Sequence, residues 1–194
     1  MQVPLFPLRT VLYPEGPLPL RIFEPRYLDM VSECLKTDRP FGVLLIRAGS
    51  ETGPATTYNT GTLAKITDWY QGSDGLLGIT AFGEQRFRLL SAERRQNNLH
   101  VGRVETLPEQ KNVPLPEDMK PLAKVLEGVL DDLGSLYESV ERRYDDAGWV
   151  ACRFAEILPI APEDKQACLE LDDPVERLKV VRKLIDDVRG AEVS

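Results

Sequence analysis

Up to Leu107 the chain alternates short apolar runs with glycine- and asparagine-bearing breaks, a strand pattern rather than a helical one. The runs predict strands over 3–8, 18–23, 41–46, 61–70, 76–82, 86–91 and 99–107. Breaks fall at Ser73-Asp74-Gly75, Phe82-Gly83-Glu84 and Gln96-Asn97-Asn98. Six prolines between residues 4 and 25 exclude helix from the opening, and the large apolar residues between them exclude a solvated tail. That stretch therefore reads as extended chain packed on a core. At Glu24-Pro25 it switches to a helix whose apolar stripe is Leu28, Val31 and Leu35. Cys34 lies beside the stripe as a small buried hydrophobe. Residues 47–59, rich in Gly, Ser, Thr and Pro, read as a long loop of the kind that carries function.

Beyond the polar, proline-rich stretch 108–116 the period becomes helical. Leu122, Val125, Leu126, Val129, Leu130, Leu133, Leu136, Tyr137 and Val140 form one stripe, weakened by Gly128 and Gly134. A second helix is expected from Asp146 to Leu158, and a short one after Pro162. The last has Asp173 as N-cap, Pro174 as first residue and Glu176 placed for a capping box. Its stripe is Val175, Leu178, Val181, Ile185 and Val188, and Gly190 ends it. The expected organisation is a β domain over 1–107, a linker over 108–116, a helical bundle over 117–190 and a tail over 191–194.

Charge follows the same division. Residues before Pro108 hold 12 bases against 11 acids, and those after it 12 against 20, for a net charge of −7. An acidic helical half argues against nucleic acid and against an anionic membrane surface as partners. No apolar run approaches the roughly 20 residues of a membrane helix. No secretory signal is visible, and the three scattered cysteines fit a reducing, cytoplasmic setting.

Catalytic chemistry is hard to find. There is no Gly-x-x-x-x-Gly-Lys-Ser/Thr loop, no Gly-x-Gly-x-x-Gly and no Gly-x-Ser-x-Gly elbow. His100 is the single histidine, and the cysteines lack metal-site spacing. Nothing near His100 in sequence supplies the third group that a nucleophilic mechanism expects. Adjacent carboxylates such as Asp131-Asp132 and Asp172-Asp173 do not face each other on a helix and read as caps or solvated faces. Arg86, Arg88, Arg94 and Arg95 gather near Phe87, the one candidate basic strand for RNA, with Glu84 and Glu93 flanking them. No catalytic, cofactor or metal residue is assigned.

Several motifs in order carry a family resemblance. Pro4-Leu5-Phe6-Pro7-Leu8-Arg9, Pro14-Glu15-Gly16 and Leu20-Arg21-Ile22-Phe23-Glu24-Pro25-Arg26-Tyr27 resemble the opening of the Lon-protease N-terminal domain. The stretches 41–46, 61–66 and 83–89 resemble its later strands. Leu158-Pro159, Asp164-Lys165-Gln166 and residues 171–178 resemble its helical part. The resemblance implies an α+β fold: a PUA-like β pseudo-barrel of six or seven short strands with one helix, followed by a helical bundle.

The implied function is a non-catalytic module that binds polypeptide, in unfolded or apolar segments, without any cofactor. It leaves room for a homo-oligomer. At 194 residues the chain reads as a stand-alone domain without ATPase or Ser–Lys peptidase parts. Tyr13, Trp69 and Tyr70, aromatics near turns, are the candidate peptide contacts. Glu24, Arg26 and Tyr27 are explained by capping, an ion pair and ring packing. The alternative is RNA binding through the β domain, which requires a continuous positive stripe through Arg86, Arg88, Arg94 and Arg95.

Overall fold

The structure, a computed structural model, describes residues 1–192, without the side chains of the last two. The chain divides into two compact units, one over Met1–Pro108 and one beginning at Glu109.

In the first unit the strands are β1 (Gln2–Leu8), β2 (Pro17–Ile22), β3 (Phe41–Gly49), β4 (Ala55–Thr57), β5 (Thr60–Gln71), β6 (Leu77–Arg94) and β7 (His100–Thr106). They run in the order β1-β7-β6-β5-β3-β4, and β1 also pairs in parallel with β3, from Leu5↔Gly42 to Leu8↔Leu45. That pairing closes β1, β7, β6, β5 and β3 into a ring, so the barrel has few free edges. β2 lies outside the ring against β6, and α1 (Pro25–Thr37) follows it.

The prolines fit this arrangement. β2 pairs with β6 alone, and Pro17 and Pro19, two apart, both turn their donorless nitrogens to its open side. β1 pairs with β7 over its first half and β3 over its second, so Pro4 and Pro7 each lie in a half with one partner. The core gathers Phe6, Tyr27, Met30, Phe41, Ile79 and their neighbours, with the Phe6 and Tyr27 rings stacked 3.9 Å apart.

Three expectations change here. Phe82-Gly83-Glu84 is no turn, and the expected strands 76–82 and 86–91 are halves of the single strand β6. Gly83 is in the strand because the Tyr13–Gly16 backbone crosses it. A Cβ at Gly83 would meet the Tyr13 carbonyl oxygen at 2.0 Å, and the β5–β6 register shifts between Thr62 and Ala64. The loop 47–59 contains β4, which folds back on the end of β3. On α1 the buried positions are Tyr27, Met30, Val31 and Cys34, while Leu28 and Leu35 face solvent. Tyr27, stacked on Phe6, sets that phase.

The second unit contains α2 (Lys120–Asp132), α3 (Ala147–Ile157), α4 (Pro162–Glu170) and α5 (Pro174–Glu192). Every residue of α3 from Ala147 to Ala155 is buried, which makes it the central helix. The long stripe expected over 122–140 does not make one helix. α2 stops at Asp132, Gly134 takes φ 62°, and Gly134–Tyr137 form a 3-10 turn. Leu126, Leu130 and Tyr137 are buried, whereas Val125, Val129, Leu133 and Leu136 remain exposed.

Asp173 caps α5 as its sequence signals, accepting from Val175 N at 2.8 Å and Glu176 N at 3.2 Å. The Glu176 carboxylate instead takes Lys179, 2.7 Å away. α5 continues through Gly190 to Glu192, so that glycine does not end it. Of the expected tail 191–194, the last two residues lie outside the described residues. The stretch after Pro108 is fastened within the second unit. Leu115 N donates to Asp145 O, Ala147 N donates to Val113 O, and buried Arg177 donates to Gln110 Oε1 at 2.5 Å.

Candidate functional site

With Phe23, the most exposed aromatics of the first unit are Trp69 and Tyr70, both on the last part of β5. Residues Asp68–Gln71 of β5 pair with Leu77–Thr80 of β6, and β2 pairs with the same stretch of β6 on its other side. β3 pairs only with Thr62–Ala64 of β5. Among the described residues no strand therefore occupies the outer side of Asp68–Gln71. This edge has no proline, unlike that of β2, and it carries Trp69, 61% exposed, and Tyr70, 50% exposed. The Tyr70 ring lies across Gly78, where a Cβ would meet its Cζ at 2.3 Å, so a glycine on the neighbouring strand makes its seat. Tyr13, the third aromatic candidate, is fully buried and offers no ring to a ligand. The Tyr13–Gly16 crossing over Gly83 explains its burial.

A second feature is a cleft where three segments meet: the β6–β7 turn, the start of α1 and the loop between β3 and β4. Its outer compartment, about 520 Å³, is lined by Glu24, Arg26, Thr52, Arg94, Asn98 and His100 among others. An inner one of about 290 Å³ shares Arg26 and His100 and adds apolar walls from Leu5, Leu44 and Leu89. Register places the charged pair: Arg94 on β6 stands opposite His100 on β7, so both project from one face of the ribbon. The turn between them is held by Asn98 at φ 68° and by Leu99 N donating to Asn97 Oδ1.

Arg26 organises the cleft. Its guanidinium pairs with Glu24 at 2.9 Å, donates to Glu51 O at 3.0 Å and lies 4.6 Å from the Tyr27 ring centre. The ion pair and the ring packing are thus visible for Glu24, Arg26 and Tyr27. Glu24 stands at the N-cap position without a side-chain cap hydrogen bond, because Arg26 takes its carboxylate. The same residues line or border the cleft. Burial, helped by Arg94 and then Arg26, holds the His100 imidazole below its ordinary pKa, so it is neutral at pH 7. Burial likewise pushes the Tyr27 hydroxyl up to about 12, leaving it protonated.

The four arginines do not form the stripe that RNA binding requires. Arg86 is buried, Arg95 is paired with Glu33 at 2.8 Å, and Arg94 turns into the cleft; Arg88 is exposed on β6. Among the described residues no group of three His, Cys, Asp or Glu side chains is placed to hold a metal ion. No helix there is long and apolar enough to cross a membrane. Cys34, Cys152 and Cys168 are all buried and outside any disulfide. The cleft has one imidazole, His100, and the hydroxyl side chains of Ser50, Thr52, Thr56 and Thr57 in its lining.

The family model of the ATP-dependent protease La (LON) substrate-binding domain matches residues 2–187. The chain belongs to this family. A crystal structure of a Lon N-terminal domain protein from Xanthomonas campestris is similar to this LON domain with a TM-score of 0.77 and 36% identity, covering 92% of this chain and 95% of that one. The N-terminal domain of a Mycobacterium avium complex Lon protease shares the fold, with a TM-score of 0.67 at 17% identity, covering 96% and 99%. Lon protease 2 of Myxococcus xanthus is 26% identical over 195 residues, 96% of this chain and 24% of the protease. The LON domain thus spans about a quarter of that relative. The fold is α+β, with the barrel and the helices in the order that the resemblance implies, and the family is one of substrate binding.

The cleft was only partly legible beforehand. Arg26 and His100 were visible as a motif member and a lone histidine, and the Asn97-Asn98 turn and the Gly/Ser/Thr/Pro loop were visible as breaks. Nothing in the spacing shows that they meet, because 73 residues of intervening chain separate Arg26 from His100.

Proposed function

We propose that this LON domain is a non-catalytic module that binds polypeptide, taking an extended segment as an added strand along the outer edge of β5. The observation that carries the reading is the proline-free stretch Asp68–Gln71, paired with β6 on one side and with no strand on the other among the described residues, with Trp69 and Tyr70 exposed on it. Main-chain groups of a free edge supply affinity for any extended chain, and neighbouring aromatics supply a preference for apolar side chains. Membership in a substrate-binding family supports the same reading.

The test is fluorescence anisotropy with labelled, unstructured apolar peptides. Trp69→Ala with Tyr70→Ala is expected to weaken binding about tenfold or more, since interface aromatics often cost 2 kcal/mol when truncated. N-methylation of the peptide backbone is expected to weaken binding at alternate positions only, because a strand turns every second N–H to its partner. Unchanged affinity in the double variant, or no binding to any peptide, overturns the proposal.

A further inference from the structure

The cleft beside α1 holds two arginines, of which only Arg26 has an ion-pair partner. Its outer compartment is lined by four titratable side chains: Glu24, Arg26, Arg94 and His100. Glu24 and Arg26 are paired with each other. His100 is neutral at pH 7, for burial and the two arginines disfavour its protonation. The Arg94 guanidinium makes no hydrogen bond or ion pair among the described residues, although that of Arg95 next to it is paired with Glu33. Of the nearby acids, Asp29 accepts from Asn97 at 3.1 Å, and Glu51 in the inner compartment accepts from Arg9 N at 2.7 Å. Both acids keep their charge, but neither reaches the Arg94 guanidinium, which stands without a direct partner at the mouth of the cavity.

Behind it lies the 290 Å³ compartment, walled by Leu5, Leu44, Leu89 and Ala92 and edged by the Thr56 and Thr57 residues. A single charge suits a monoanion better than a dianion. The guanidinium fork matches the two oxygens of a carboxylate, and the apolar compartment suits a short carbon side chain attached to it. We propose that this cleft binds the C-terminal residue of a polypeptide, its carboxylate on Arg94 at the mouth and its side chain in the inner compartment. The proposal rests on the polypeptide-binding reading and adds the chain end as the element recognised.

His100 is the chain's single histidine, so its ring resonances report on the cleft without ambiguity. Peptides ending in Leu or Val are compared as free acids and as C-terminal amides, by anisotropy and by the His100 NMR signals. The free acid is expected to bind about tenfold or more tightly than the amide, in line with a charged hydrogen bond, and to shift the His100 resonances where the amide does not. Arg94→Gln is expected to abolish the preference. Arg88→Gln, on the same strand outside the cleft, is expected to retain it. Equal binding of acid and amide overturns this proposal and leaves the β5-edge reading standing, whereas binding of neither overturns both. Two other results also overturn it: a preference that survives Arg94→Gln, and competition by inorganic phosphate as strong as by the peptide acid.

Discussion

At the scale of single residues, the glycines show how the same crowding has opposite consequences. At Gly83 an added Cβ meets backbone, the Tyr13 carbonyl oxygen at 2.0 Å. That atom is fixed by Glu15 N donating to Gly83 O and Gly83 N donating to Gly16 O. At Gly78 the Cβ meets the Tyr70 ring, half exposed and free to swing away. Gly83→Ala is therefore expected to destabilise the fold by about 2–3 kcal/mol or more, as overpacking against a fixed partner does. Gly78→Ala is expected to leave stability within about 1 kcal/mol and to displace the Tyr70 ring from its seat. Urea denaturation of the two variants checks the contrast, and equal losses would refute it. Buried Arg177 makes a related point. Its guanidinium serves Gln110, Cys168 O and Leu171 O, so a charged residue acts as a tether for three chain segments of the helical unit.

At the scale of elements, capping separates a central helix from a peripheral one. Asp146 begins α3, and its Oδ1 accepts from Gly148 N at 2.7 Å and Trp149 N at 3.2 Å, both bonds buried. Asp173 begins α5 with the same geometry in solvent. Asp146→Ala is expected to cost about 2 kcal/mol and Asp173→Ala about 1 kcal/mol, because water replaces the lost acceptor only at the exposed end. Thermal or urea unfolding of the two variants measures the difference, and a larger loss at Asp173 would contradict the argument. The α5 start was legible because Asp173-Pro174 is a local signal. The phase of α1 was not: Leu28 and Leu35 are as apolar as Met30 and Val31, and only the Phe6–Tyr27 stack chooses which of them turn inward. The stripe over 122–140 misled for the same reason, since periodicity states that a helix has an apolar face and not where Gly134 bends the chain out of it.

At the scale of the whole molecule, every pairing between the strands β1–β7 lies within Met1–Pro108, so the ring closes without any residue of the second unit. A fragment of residues 1–108 is accordingly expected to fold and to retain the binding proposed for the β5 edge. Amide-exchange protection of β5, β6 and β7 in the fragment, together with the peptide titration, checks this; an unprotected fragment would refute it. Membership in the LON substrate-binding domain family was legible at this scale, through motifs spread over most of the chain. The candidate sites were legible in pieces. Trp69 and Tyr70 were recognisable as aromatics near a turn, but Tyr13 matched the same description and is buried.

Local sequence thus determined which segments extend, where α1, α3, α4 and α5 begin and where the change from β to α falls. Those properties follow from proline geometry, apolar period and capping, all of which act over a few neighbouring residues. The tertiary structure alone decided that β6 runs unbroken through Gly83, that the edge of β5 stays open beside Trp69 and Tyr70, and that Arg26, Arg94 and His100 share one cleft. Each depends on strand register and ring closure, which bring together residues far apart in the chain and leave no trace in their spacing.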